Sequence, residues 1–351
     1  MNVLERMTGF LLEHGGPSIR LWVKREVLGA LSAEEEAALL DEIMKEPVYR
    51  LVADCQKENG WLGNGFHGPN KSAGPYENQE VGTKYLAEKG FGKENTVLCR
   101  AMDAFVTVPL SDLCYRTHGK VYDEFQFAAN GQNLIRCACI ARAGFADRID
   151  IAPQVQLSLD SFRRVLEVDS ILEISRTVKS SKYRVFNKNE KWPCRYHLDI
   201  LAHTDSWKSQ ENCTMLAQSF EKLMRHDRTE LVGLGAASWA GHVLGTLGCY
   251  TEGFSTRMQK DGTELIQLET VEWMCRCGLY PYLPALREEV GILMDSVDAD
   301  GICRAYVDED FLRNISTYGG QQIEADWKTP LRKYCDITFR ALLCGKYAGI
   351  L

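Results

Sequence analysis

Apolar residues recur at helical spacing along almost the whole chain, and the two-residue alternation of strands is nearly absent. In "SAEEEAALLDEIMKE", Ser32 and Glu35 are spaced as a capping box ahead of Leu39, Leu40 and Ile43 on one face. "SQENCTMLAQSFEKLMRH" sets Leu216, Phe220, Leu223 and Met224 at the same spacing. Further helices are predicted near 17–30, 47–57, 77–89, 94–107, 132–144, 153–168, 192–203, 232–247, 262–277, 281–296 and 330–347, with "SKYRVFN" the one fair strand. Asn59-Gly60, Asn130-Gly131, Asp261-Gly262 and Asp300-Gly301 fall between helices, where their tolerance of positive φ makes turns. No linker or low-complexity tract interrupts the pattern, so residues 1–351 are expected to form one all-α domain of stacked helical hairpins.

A net charge of −7 gives nucleic acid and anionic membrane surfaces nothing to bind, and the basic stretches "SFRRVLEV" and "LMRHDR" are short and flanked by acids. The 13 cysteines are odd in number and contain no CxxC pair, which predicts buried reduced thiols rather than a disulfide framework or zinc ribbon. The opening "MNVLERMTGFLLEHGG" lacks a signal-peptide core, and no apolar run approaches the ~20 residues of a membrane span. A cytosolic location is the expectation.

One skeleton is written twice. "WPCRYHLDI" and "PLRKYCDI" share Pro193, Arg195, Asp199 and Ile200 against Pro330, Arg332, Asp336 and Ile337. Each proline suits a first helical turn, and each Arg and Asp stand four apart, able to pair. "PSIRLWVKREVLG" carries a fainter copy with Pro17 and Arg20, but Lys24 replaces the aspartate. The copies mark equivalent helices in successive hairpins.

Before the first turn stands "YRLVADCQKENGWLG", whose Gln56-x-x-x-Gly60-Trp61 resembles the Gln/Trp repeat of the terpenoid cyclase and protein prenyltransferase superfamily, one residue short. Asp298-Ala299-Asp300-Gly301-Ile302 resembles a second copy with its aromatic lost. With the close "YCDITFRALLCGKYAG", the whole chain is similar to bacterial prenyltransferase-like α/α toroid proteins without an assigned reaction. The resemblance implies an α/α toroid: about six hairpins in two concentric rings around a central cavity, with ligands met where the inner helices begin. The Asp-x-Asp-Asp acid of the cyclases and their Asp-Asp-x-x-Asp magnesium run are absent. Cys335 and Asp336 point about 100° apart on a helix, which is a poor start for a zinc site. Neither metal nor cofactor is expected.

Candidate chemistry gathers at three places. Tyr196, Asp199 and His203 lie at i, i+3 and i+7, presenting phenol, carboxylate and imidazole on one helix face suited to acid–base work. His67 is the polar group of the glycine-rich loop after Trp61, near Glu77, which reads either as a pocket rim or as a plain connection. Asp336 joins Asp199 as an acid lining the cavity, unless Arg195 and Arg332 merely pair with the two. Aromatic residues beside turns, among them Trp192, Tyr318 and Trp327, are either ligand contacts or core. The leading expectation is a small, largely apolar ligand in the cavity. The alternatives are a carbohydrate-active toroid and a non-enzymatic scaffold for a protein partner.

Overall fold

The computed structural model describes residues 2–67, 75–108, 132–177, 184–186, 190–229, 237–239, 242–245, 254–313 and 322–351. The fold is mostly helical. The helices are α1 (Val3–His14), α2 (Pro17–Trp22), α3 (Ala33–Met44), α4 (Pro47–Asp54), α5 (Gln79–Glu88), α6 (Thr96–Thr107) and α7 (Gln132–Arg142). They continue as α8 (Ala152–Glu167), α9 (Arg195–Ala202), α10 (Gln210–Thr229), α11 (Leu268–Arg276), α12 (Pro284–Asp295), α13 (Glu309–Arg313) and α14 (Pro330–Tyr347). A π-helical turn, Val23–Leu28, extends α2 until Gly29 ends it in the left-handed region at φ 59°. Among the described residues, no helix is long and apolar enough to cross a membrane.

Local signals decide many of these ends. Ser32 and Glu35 form the expected capping box, and Leu39, Leu40 and Ile43 beneath it are buried. Pro17, Pro47, Pro284 and Pro330 each stand at a first helical position, where a missing N–H leaves nothing unsatisfied. Two expected helices differ. Within 232–247 the described residues form β3 (Ala237–Trp239) and β4 (His242–Gly245), an antiparallel pair. The helix expected from 262 starts at Leu268, because Asp261 (φ 51°) and Gly262 (φ 80°) turn a hairpin between β5 (Arg257–Lys260) and β6 (Thr263–Ile266). Two positive φ values make the turn whose twist matches paired strands, and here that preference prevails over helical periodicity. "SKYRVFN" does supply a strand, β2 (Arg184–Phe186), paired with β1 (Ser175–Thr177).

The helices sort by burial. Every residue of α5 is buried, as is α11 from Leu268 to Cys275 and α14 from Cys335 to Gly345; α2, α7 and α9 also expose no residue for which burial is described. By contrast α1, α3, α4, α6, α8 and α12 each present an exposed face. These more buried helices touch in sequence: α5 packs on α7, α7 on α9, α9 on α11, α11 on α14 and α14 on α2. Trp22 Nε1 donates to the Glu88 carbonyl at 2.7 Å, joining α2 to the end of α5.

Two turns share one hydrogen-bond pattern. Lys57 N donates to Trp61 O and Gly60 N to Lys57 O; Asp298 N donates to Ile302 O and Gly301 N to Asp298 O. Gly60 (φ 86°) and Gly301 (φ 85°) hold the same left-handed conformation. A Cβ on either would fall 2.2 Å from a helix carbonyl, that of Arg100 on α6 or of Arg6 on α1. The arginines reciprocate: Arg100 donates to the Lys57 carbonyl, Arg6 to the Asp298 carbonyl. The second copy thus joins the turn after α12 to the first helix of the chain.

Candidate functional site

A helix with no solvent face must pair every charge it carries, because an unpaired buried ion is prohibitively costly. On α5, Glu80, Lys84 and Glu88 recur at i, i+4 and i+8 and are all buried. Glu269 and Glu272 on α11, and Asp336 and Arg340 on α14, are likewise buried. All of these but Asp336 meet in two clusters, one near the starts of α5 and α9 and one near the ends of α5, α7, α9 and α11.

The first cluster centres on Glu80. Its carboxylate accepts from Lys84 Nζ (2.8 Å) and Tyr196 Oη (2.6 Å) and stands 2.8 Å from His67 Nδ1. Burial raises its pKa, but the Lys84 and His67 charges outweigh that and hold it below the ordinary carboxylate value. His67 and Tyr196, 129 residues apart, are brought to 3.5 Å between Nδ1 and Oη, both half-buried.

The second cluster centres on Arg142, the last residue of α7. Its Nε and Nη2 grip the two oxygens of Asp199 at 3.1 and 2.9 Å, and Nη1 stands 3.4 Å from Glu88. Asp199 Oδ1 lies 3.0 Å from Nδ1 of His203, the residue that caps α9. Burial works against the Asp199 anion, yet the Arg142 guanidinium and His203 keep its pKa far below the carboxylate range. His203 Nδ1 faces only acceptors, Asp199 Oδ1 and the Asp199 carbonyl at 2.8 Å, so it carries the proton and leaves Nε2 as the basic nitrogen. Among the described residues no group bonds to that Nε2. Arg340 bridges Glu88 (2.6 Å) and Glu272 (3.0 Å), and Glu272 holds Arg276 Nε at 2.8 Å. Arg142 and Arg276 both end helices, where the partial negative charge of the dipole suits a cation.

Beside this network is a cavity of about 120 Å³, lined by Trp22, Glu88, His203, Arg276, Phe339 and Arg340 among others. The His203 ring also meets Trp273 edge-on with centroids 6.0 Å apart, and Trp273 lies 4.8 Å from each of the Arg142 and Arg195 guanidinium carbons.

The expected ion pairs within the repeated skeleton do not form. Arg195 reaches across to Glu269 on α11, 4.8 Å from both Trp273 and the Phe311 ring, leaving Asp199 to the two-pronged grip of Arg142. Arg332, on the exposed first turn of α14, pairs instead with Asp326 at 2.7 Å. Asp336 is buried and accepts from the backbone N–H groups of Ile323 and Glu324 and from Trp327 Nε1, so it pins the segment before α14. Trp327 is therefore an anchor for Asp336.

Trp61 is core, 5.9 Å from both Phe66 and Phe105, and Trp192 is fully buried. Glu77 lies beside Cys55, whose thiol is pushed up by burial and then by that carboxylate. Tyr318 lies outside the described residues. The described cysteines are free thiols, all but Cys55 and Cys99 buried, and burial lifts Cys139 and Cys335 to about 12.

Arg142, Glu80, Glu88, Glu272, Arg276 and Arg340 were not among the expected site residues. For all of them but Arg142 a signal was present in "QEVGTKYLAEKG", "ETVEWMCRC" and "CDITFRALL": charges four apart among apolar residues, although spacing does not name the partner on another helix. Comparison of the chain with protein families, with curated proteins and with solved structures returns no match in any of the three.

Proposed function

We propose that residues 1–351 form a single α/α toroid, with α2, α5, α7, α9, α11 and α14 as its inner ring, that carries out acid–base chemistry on a small polar molecule. The succession of contacts from α5 through α14 to α2, and Trp22 bonding back to α5, support the closed ring. So does the turn after α12 docking on α1, where Arg6 donates to a carbonyl 292 residues away.

One observation carries the chemistry: the carboxylate of Asp199, fixed by Arg142, sets the His203 tautomer so that Nε2 is the base beside a cavity. A carboxylate–imidazole pair of this kind fixes both orientation and proton position. Guanidinium and carboxylate groups border the space together with Trp22, Phe339 and Leu343, so a ligand that joins a polar group to a small apolar body suits it. Size narrows it further. A cavity near 150 Å³ admits benzene, so 120 Å³ suits about five or six heavy atoms, fewer than a polyprenyl chain or a whole sugar brings.

The test is to incubate the protein in D₂O with a panel of small polar metabolites and follow carbon-bound hydrogen exchange by NMR. Wild type should exchange or consume at least one compound and His203→Gln should not. Silence across the panel, or equal rates in the variant, removes the proposal.

A further inference from the structure

The charges around the cavity are paired before any ligand enters. Arg142 meets Asp199 and Glu88, Arg340 meets Glu88 and Glu272, Arg276 meets Glu272, and Lys346 meets Glu26, all within 3.4 Å. Glu269 lies 3.8 Å from Arg142 and pairs with Arg195. Yet the hydrogen-bonding capacity is uneven. Arg142 spends Nε and both terminal nitrogens on carboxylates. Arg276 spends only Nε, on Glu272, and its guanidinium carbon lies over the Tyr347 ring, 4.3 Å from the centroid. Among the described residues no acceptor takes the two terminal nitrogens of Arg276, which borders the cavity with His203.

A guanidinium held over an aromatic ring with both terminal nitrogens unspent keeps N–H donors of a planar fork, the group that takes a carboxylate in two-pronged fashion. We propose that the terminal nitrogens of Arg276 bind the carboxylate of a small organic acid of about five or six heavy atoms, which sets the body of the ligand beside His203. This rests on the cavity being the ligand site.

Pyruvate, which has six heavy atoms, and its neutral isostere pyruvamide are the probes, applied to the 351-residue chain by calorimetry. Pyruvate is expected to bind at least tenfold more tightly than pyruvamide. Arg276→Gln should weaken pyruvate at least tenfold. If that variant does not fold, Arg276→Lys carries the test, since a point charge without the fork should lose at least threefold. His203→Gln should still bind pyruvate, because the carboxylate is held by Arg276. No pyruvate binding by wild type, equal binding of pyruvamide, or undiminished binding by the Arg276 variants would overturn the assignment. Arg276-dependent binding together with His203-independent hydrogen exchange would leave this site standing and refute only the acid–base role.

Discussion

Asp199 and His203 stand one helical turn apart on α9, the carboxylate 3.0 Å from the imidazole on one side and gripped through both oxygens by Arg142 on the other. Removing the anion therefore strands a buried guanidinium, and breaking a buried pair from one side costs ~3–5 kcal/mol. Asp199→Asn should lower unfolding free energy in urea by about that much near neutral pH. The folded-state pKa of Asp199 lies below its unfolded value, so its contribution is complete above the ordinary carboxylate range and fades as pH falls through and below it. The variant and wild type should accordingly converge in acid. A constant gap down to the lowest accessible pH would contradict the ion-pair account.

Glu324 gives the opposite sign. Burial, with Asp336 nearby, lifts its pKa from 4.5 to about 7, although Gly16 N donates to its carboxylate at 2.7 Å. Between those pH values the native state retains a proton that the unfolded chain has lost, so stability declines as pH rises and then levels off above 7. The whole decline amounts to about 3 kcal/mol at 1.36 kcal/mol per pH unit. Glu324→Gln keeps an acceptor for Gly16 and stays neutral. It should be more stable than wild type at pH 8 and nearly flat from pH 5 to 7 in the same urea titrations. A variant less stable than wild type at pH 8 would show that the charged form is the better fit.

Glu80 holds three partners, and they differ in what they leave behind. Tyr196→Phe removes one donor from a carboxylate that keeps Lys84 and His67, an expected loss of ~1–2 kcal/mol. Glu80→Gln removes the anion facing the Lys84 ammonium in a fully buried site and should cost more, ~3–5 kcal/mol. Thermal or urea unfolding of the two variants side by side checks the order. If Tyr196→Phe proves the more damaging, the cluster is organised by the phenol rather than by the carboxylate.

Helix positions were legible in the sequence because capping and periodicity are local: Ser32 with Glu35, and the prolines that open α2, α4, α12 and α14, mark their own ends. The Asp261-Gly262 turn was also legible, but the paired strands around it were not. Hairpin formation depends on residues meeting across the turn rather than on spacing within one segment. At the site, Tyr196, Asp199 and His203 could be found because one helix carries all three. Their partners could not: Arg142 and Glu80 lie on other helices, and four-residue spacing alone pointed Asp199 to Arg195. Position i+4 states only that two side chains share a face; burial decided which arginine had two-pronged access.

Gly60 and Gly301 test how the chain ends are joined. Each holds a positive φ that a side chain resists, and each presses its Cα against a carbonyl that a Cβ would meet at 2.2 Å. Left-handed strain alone is worth ~1–3 kcal/mol, and the close approach adds to it. Gly60→Ala should loosen the seam between the α4 turn and α6, which are close in sequence. Gly301→Ala should instead free α1 from the turn after α12, since the contact it destroys links residues almost 300 apart. Hydrogen exchange distinguishes the two: amides of Val3–His14 should lose protection in Gly301→Ala while those of Thr96–Thr107 keep it, with the reverse in Gly60→Ala. Exchange rising equally across the whole fold in both variants would mean that the two seams are not separate joints, and that the docking of the turn after α12 on α1 is not a local one.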